Sequence, residues 1–256
     1  LQVLTPEQAT SFLEQGFVVV REAFHRDTAA QLLPHVWARV EEHPTDRSTW
    51  KRAGTQIESI IHDGPIADLF TPRFCGSLDD LLGSGRWWTR RDGIGWVVLR
   101  FPDSSASWQA PATGWHVDGI HFHHHLTSPE QGLVGIEMLT DIEPGGGGTA
   151  VRVGSHKAVA RLLHEAEPEG LPYARMRAIA ESLQDLPAVE VTGRAGDVLW
   201  MHPFMVHARS PNTRDTVRIA ANRCVGLHEP MRLQPEHAAS ASLVEKAIIQ
   251  ALAERR

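Results

Sequence analysis

Cysteine is nearly absent from this chain. Cys75 and Cys224 are the only two in 256 residues; they stand far apart, form no C-x-x-C, and so argue against a disulfide framework or a zinc knuckle. A reducing cytoplasm is the expected compartment. No basic run is present and the formal net charge is −6, which argues against a phosphate-backbone partner, since nucleic-acid binders carry a basic face. Also missing are a stretch of about 18 consecutive apolar residues, as a membrane span needs, and a basic leader with an apolar core. The expectation is a soluble, unanchored protein. There is no internal repeat, and the one low-complexity tract is Gly145 to Gly148. With no helix after it and no G-x-G-x-x-G context, that tract reads as a tight turn between strands rather than a dinucleotide cradle.

What is present suffices for a large core: 42% of the residues are hydrophobic, and the length suits one domain over residues 1–256. Thr5, Pro6 and Gln8 spell a helix start with a capping box, and Gly16 spells its end. Phe17 to Val20 then reads as a buried strand. A second helix is expected over Asp27 to Glu42, starting late or kinked at Pro34. Residues 43–63 read as a loop, and Pro65 to Phe70 and Pro72 to Leu82 as short helices. From Arg86 onward β character dominates, with strands at Arg86 to Trp88, Gly95 to Arg100, Leu133 to Leu139, Thr149 to Val153, Ala188 to Val191, Asp197 to Met201 and Val217 to Val225. A helical insertion is expected between Ser155 and Leu186, and a closing helix begins at the Ser242–Glu245 capping box. The pattern is mainly β with flanking helices, a sandwich or barrel with its core at about residues 86–226.

The chemistry concentrates in Gly114-Trp115-His116-Val117-Asp118-Gly119. On an extended strand alternate side chains share a face, so His116 and Asp118 point together and form a two-pronged metal claw. A third ligand is needed, and two histidines with one carboxylate on one face suit ferrous iron with open positions. His207 is the best candidate, with His202 as its rival. Beyond them a strand carries Arg218.

Together, the His-x-Asp after a tryptophan, the glycine-rich turn leading to Val153-Gly154-Ser155-His156-Lys157, and a distal histidine separated by ten residues from an arginine resemble the phytanoyl-CoA dioxygenase family. The likeness runs from the opening helix to about Val225. It departs where the family often has Pro-Gly-Ser-His and an asparagine-glycine turn. What the resemblance implies is a double-stranded β-helix, or cupin-like jelly roll. It also implies Fe(II) on His116, Asp118 and His207, with 2-oxoglutarate as co-substrate and O2 as oxidant. The arginine spacing then favours His207 over His202. Arg218 would hold the far carboxylate of 2-oxoglutarate through a bidentate fork, and Thr149 and Arg100 would border the same cavity. Halogenating relatives lose the carboxylate ligand; Asp118 keeps it, favouring hydroxylation or another two-electron oxidation such as desaturation or ring formation.

For the substrate, Trp108, Trp115, His121 and Phe122 are the candidate walls, and Arg90, Arg91 and Arg100 lie on or beside strands that lead to the site. They suggest a small organic molecule of a biosynthetic pathway, under a lid drawn from residues 43–63 or 156–187. Strand alternation lets no more than some of the histidines from His121 to His125 face the cavity: His121 or His123 is a candidate for its lining beside the plainer reading as a polar position, and the neighbouring His124 and His125 are ordinary polar positions. Two alternatives stand beside this reading: a cupin-like metal enzyme that uses no 2-oxoglutarate, and a non-catalytic metal-binding or small-molecule-binding protein. Oligomeric state is left open by the sequence.

Overall fold

Thr5 caps the first helix, α1 (Pro6–Gln15): its hydroxyl accepts from the Gln8 amide while the Gln8 side chain accepts from the Thr5 amide. Gly16 closes it in the left-handed region at φ 87°, and a Cβ there would strike the His156 imidazole. The chain therefore turns at once into β1 (Phe17–Val20), an edge strand with alternate side chains buried. The computed structural model describes residues 1–103 and 107–254.

The second helix, α2 (Arg26–Trp37), starts at the expected place but ends five residues short of Glu42. Pro34 lies inside its last turn, where the missing donor forfeits one hydrogen bond rather than breaking the ladder. The segment expected as a loop holds a 3-10 turn at Arg47–Thr49 and a strand, β2 (Gly54–Ile57). Its four residues show no alternation of hydrophobicity, and pairing with another strand alone makes it β. Next come α3 (Pro72–Leu82), β3 (Trp87–Thr89), β4 (Gly95–Arg100), β5 (Leu133–Met138) and β6 (Thr149–Arg152). The insertion is α4 (Ser155–Glu165) and α5 (Tyr173–Ser182). The chain then runs through β7 (Ala188–Glu190), β8 (Val198–Met201), β9 (His207–Arg209) and β10 (Arg218–Leu227) to α6 (Leu243–Ala253).

The strands form two antiparallel sheets. One has seven strands in the order β1-β8-β5-β10-β4-β2 with β3 beside β10; the other has three, β7-β6-β9. Alternation sorts the side chains of the large sheet. Val134, Ile136, Met138, Leu199 and Ala220 point toward Val151 of the small sheet and form the inter-sheet core. On the reverse face Trp200 and Ile219 pack with Phe74, Leu78 and Leu81 of α3, and the Trp200 indole donates to Ser77 at 2.9 Å. Between α3 and the sheet Arg223 and Glu137 form a buried ion pair. The helices α1, α3 and α4 each pack on α6 outside the sheets. This makes α4 part of the body rather than a lid. Among the described residues no helix is long and apolar enough to cross a membrane.

Candidate metal centre and its cavity

His116 and Asp118 are not on a regular strand, as the sequence suggested. His116 makes one β-bridge with His207, exchanging both backbone hydrogen bonds at 3.0 and 2.9 Å, and Asp118 lies in the bend that follows. The bridge extends the small sheet beyond β9 by a single residue. It draws two side chains more than ninety positions apart into register, with ring centroids 4.3 Å apart.

Each imidazole is oriented by its own chain. His116 Nδ1 bonds the Gly114 carbonyl at 2.9 Å and His207 Nδ1 bonds the Met205 carbonyl at 3.0 Å. The Nδ1–H tautomer leaves Nε2 of both rings free to face Asp118, whose Oδ1 lies 3.3 Å from His116 and 3.6 Å from His207. All three donor atoms lie within 4.8 Å of one another. Donors bound about 2.1 Å from a metal at right angles stand about 3 Å apart, so the triad closes on an ion with small movements. Two nitrogen donors and one carboxylate on one side fit an Fe(II) site with open positions.

Burial tends to raise the Asp118 carboxyl, but His207, His116 and then Arg209 outweigh it and bring it down to about 2. Burial, reinforced by His116, holds His207 down to about 4. For His116 burial acts downward, and the bond to Asp118 overcomes it and raises the imidazole. At neutral pH the set therefore offers an ionised carboxylate and a neutral His207, the forms that ligate metals.

The triad opens into a cavity of about 520 Å³. Its inner end carries Arg218, 5% exposed. The guanidinium donates to Thr149 Oγ1 and to the Val98 carbonyl, each at 3.3 Å, and its Nε has no partner. No carboxylate pairs with it among the described residues. Burial lowers it to about 10, with Arg100 and Arg209 acting in the same direction, so it stays charged at neutral pH. Arg100 pairs with Arg218 in register across β4 and β10 and lines the cavity, its Nε donating to the Ser210 carbonyl.

The remaining expected residues divide. His121 and Phe122 line the cavity. Trp115 does not: it is 2% exposed, its indole donates to the Pro111 carbonyl, and Arg152 covers its ring at 4.2 Å. Trp108 is half-buried on the Ser210 hydroxyl, outside the lining. Among the basic residues of the approach, Arg90 pairs with Asp92 and Arg91 lies over Phe70 and Trp87, so neither reaches the site. His123 bonds the Glu169 carbonyl, His124 the Gly119 carbonyl, and His125 faces Glu167. His202 is core: its Nδ1 accepts from the Phe204 amide and its Nε2 faces the Val244 carbonyl. Of the expected lids, residues 43–63 contribute Gln56 from β2, a strand of the large sheet, and 156–187 contribute Tyr173 at the start of α5.

Several lining residues carried no local signal. Gln131 donates at 3.3 Å to the Asp118 carbonyl and at 3.3 Å to the Pro203 carbonyl, tying together the two ligand-bearing segments. Trp96 stands at the mouth from β4. Arg209 could have been found, since it is two positions after His207 on one strand, the same spacing that paired His116 with Asp118.

The sequence matches the phytanoyl-CoA dioxygenase (PhyH) family over residues 12–220. The chain belongs to that family. The match spans all three triad residues and Arg218. No curated protein sequence matches the chain. Crystal structures similar to it include HygX from Streptomyces hygroscopicus with nickel, 2-oxoglutarate and hygromycin B bound, 16% identical over 91% of this chain and 94% of that one, TM-score 0.53. EctD from S. alaskensis, with 2-oxoglutarate and 5-hydroxyectoine, is 19% identical over 88% of this chain and 76% of that one, TM-score 0.53. SnoN, in complex with Fe3+, alpha ketoglutarate and nogalamycin RO, is 20% identical over 86% and 82%, TM-score 0.53. At such identities the likeness gives the fold: a cupin-like jelly roll, with flanking helices.

Proposed function

We propose that this protein is a non-haem Fe(II)- and 2-oxoglutarate-dependent oxygenase that hydroxylates a small organic molecule in a biosynthetic pathway. The observation that carries this reading is Arg218, a buried guanidinium in the same cavity as the triad, with an unpartnered Nε and no ion pair among the described residues, Glu190 acting on it only electrostatically. A cation withdrawn from water without a counter-charge is costly unless a ligand supplies one. An anion small enough to reach both Arg218 and the triad answers that need, and 2-oxoglutarate has a carboxylate for each end. Family membership supports the same reading, and similar folds are known with 2-oxoglutarate bound.

When bound, the metal and co-substrate supply the oxidising chemistry: 2-oxoglutarate is decarboxylated to succinate while dioxygen is reduced and a substrate C–H bond is oxidised. The protein's part is positional. His116, Asp118 and His207 hold the ion; Thr149 and the Val98 carbonyl fix the plane of the Arg218 fork. Gln131 braces the segments that carry Asp118 and His207. Asp118 occupies the position that a halide would need, which favours hydroxylation over halogenation.

The test is succinate release by purified protein with Fe(II), 2-oxoglutarate and O2, compared with the same mixture lacking each component. Succinate that depends on all three supports the reading; metal binding with no 2-oxoglutarate consumption would point to a cupin-like enzyme of another type. In the His207→Ala variant both tight metal binding and succinate release should be abolished. A stoichiometric metal content in that variant would sink the ligand assignment.

A further inference from the structure

Arg218 is not the only cation in the cavity. Arg100 and Arg209 line it as well, and neither makes an ion pair among the described residues. If the site works as proposed above, the charges of a divalent metal, Asp118, a dianionic co-substrate and Arg218 cancel. Two guanidinium groups are then left over, and the two carboxylates nearby, Glu130 on the lining and Glu190, which acts on Arg218, make an ion pair with neither among the described residues. Asp103 acts on Arg100 electrostatically and offsets part of its charge. Among the described residues the one hydrogen-bond partner of the Arg209 side chain is the neutral oxygen of Gln56; Arg209 also acts electrostatically on Asp118, whose charge is already counted against the metal. The Gln56 contact fixes one amino group of Arg209 and sets the direction of its remaining donors.

The two arginines differ in depth. Arg218 is 5% exposed at the closed end, whereas Arg209 is exposed at the end of β9, two residues beyond His207. A ligand sealed inside meets the first; a molecule entering from solvent meets the second.

Trp96 is shaped for the same molecule. β4 pairs with β10 through Val97↔Ala221 and then Gly95↔Asn222, so Trp96 is the extra residue of a β-bulge. Its φ is 48°, a conformation that bulky side chains rarely adopt. Bulges next to active sites re-aim a side chain, and this one sets the indole on the cavity lining, 43% exposed. Ile120, 60% exposed, and Phe122 line the cavity with it. On β4 the cavity face thus runs Arg100, Val98, Trp96, with Gln56 of β2 beside Val98 in register. The group that orients Arg209 therefore lies between the co-substrate end and the indole.

The geometry points to a substrate class: a small carboxylic acid with an apolar, ring-sized body, its carboxylate on Arg209 and its body against Trp96, Ile120 and Phe122. A carboxylate fits better than a phosphate. The planar fork of one arginine matches two coplanar oxygens, and Arg100, the one other cation left over, already has part of its charge offset by Asp103. The cavity must also hold the co-substrate, which keeps the acid small.

The inference rests on the 2-oxoglutarate reading, and the experiment separates the two. Protein loaded with Ni(II) and 2-oxoglutarate, without turnover, is titrated calorimetrically with paired probes: phenylacetate against phenylacetamide, cinnamate against cinnamamide, and phenyl phosphate. The acids are expected to bind at least about tenfold more tightly than their amides, the usual gain for a charge-assisted pair. Arg209→Gln should erase that preference while 2-oxoglutarate affinity stays within about twofold. Arg209→Lys should retain part of it, and Trp96→Ala should weaken acids and amides alike. Equal binding of acid and amide, binding of phenyl phosphate alone, no binding by any acid, or loss of 2-oxoglutarate affinity in Arg209→Gln would each overturn the inference. Failure of 2-oxoglutarate to bind wild-type protein would instead overturn the underlying function.

Discussion

A guanidinium cut off from water with its Nε unpartnered, as in Arg218, reduces stability unless a ligand completes it. Its geometry matters as much as its charge, because Thr149 and the Val98 carbonyl hold the fork in one plane. Lysine keeps the charge and loses the plane. Arg218→Lys should therefore weaken 2-oxoglutarate binding by about tenfold or more, with metal affinity nearly unchanged, as calorimetry on the metal-loaded protein would show. Equal 2-oxoglutarate affinity in the two proteins would refute the role. Gln131 acts at one remove. Its amide bonds two carbonyls on separate ligand-bearing segments, so Gln131→Leu strands both. A loss of about 1–3 kcal/mol in denaturant unfolding is expected, together with a roughly tenfold weaker metal affinity. Unchanged metal affinity would leave Gln131 a merely structural residue.

Helix α6 shows how an element built from local signals becomes coupled to distant ones. Ser242 and Glu245 close the capping box that the sequence displays, and Glu245 also takes two bonds from Arg86, at 2.8 and 2.6 Å, and one from the Arg232 amide. Burial acts to raise the Glu245 carboxyl, but the bonds from Arg86, Arg232 and Ser242 outweigh it and bring it to about 2. The folded value lies below the unfolded one. Stability from this group is thus fully present above about pH 4.5 and is lost as pH falls toward 2. Glu245→Gln should cost about 2–3 kcal/mol at pH 7. The gap to wild type, followed by denaturant titration, should shrink steadily between pH 4.5 and 2.5, and a gap independent of pH would contradict the assignment. Strands were less readable than helices where pairing alone makes them: β2 has no periodicity of its own, and its backbone becomes extended by hydrogen-bonding to β4.

Because metal and co-substrate would bind the folded chain only, they should stabilise the protein as a unit. A ligand at about a hundred times its Kd adds about 2.7 kcal/mol, or roughly 5–10 °C in melting temperature for a chain of this length. Ni(II) and then 2-oxoglutarate should raise the wild-type transition in two increments; Arg218→Lys should keep the first and lose the second, and His207→Ala should lose both. A full second increment in Arg218→Lys would place the co-substrate elsewhere. The sequence by itself determined what depends on neighbours a few residues away: the capped ends of α1 and α6 and most strands; it displayed His116 and Asp118 two positions apart, though a bend rather than strand alternation turns them together. It also carried the spacing from His207 to Arg218, which a family resemblance made meaningful. The tertiary structure decided what depends on pairing across the chain. A one-residue bridge, not a strand, sets His116 against His207; His202 goes into the core five positions away. Trp115 is buried where a cavity wall was expected, while a bulge turns Trp96 outward to the mouth. Tryptophans look alike in sequence, and the face each presents is fixed by register with segments about ninety or more residues away, which no local pattern encodes.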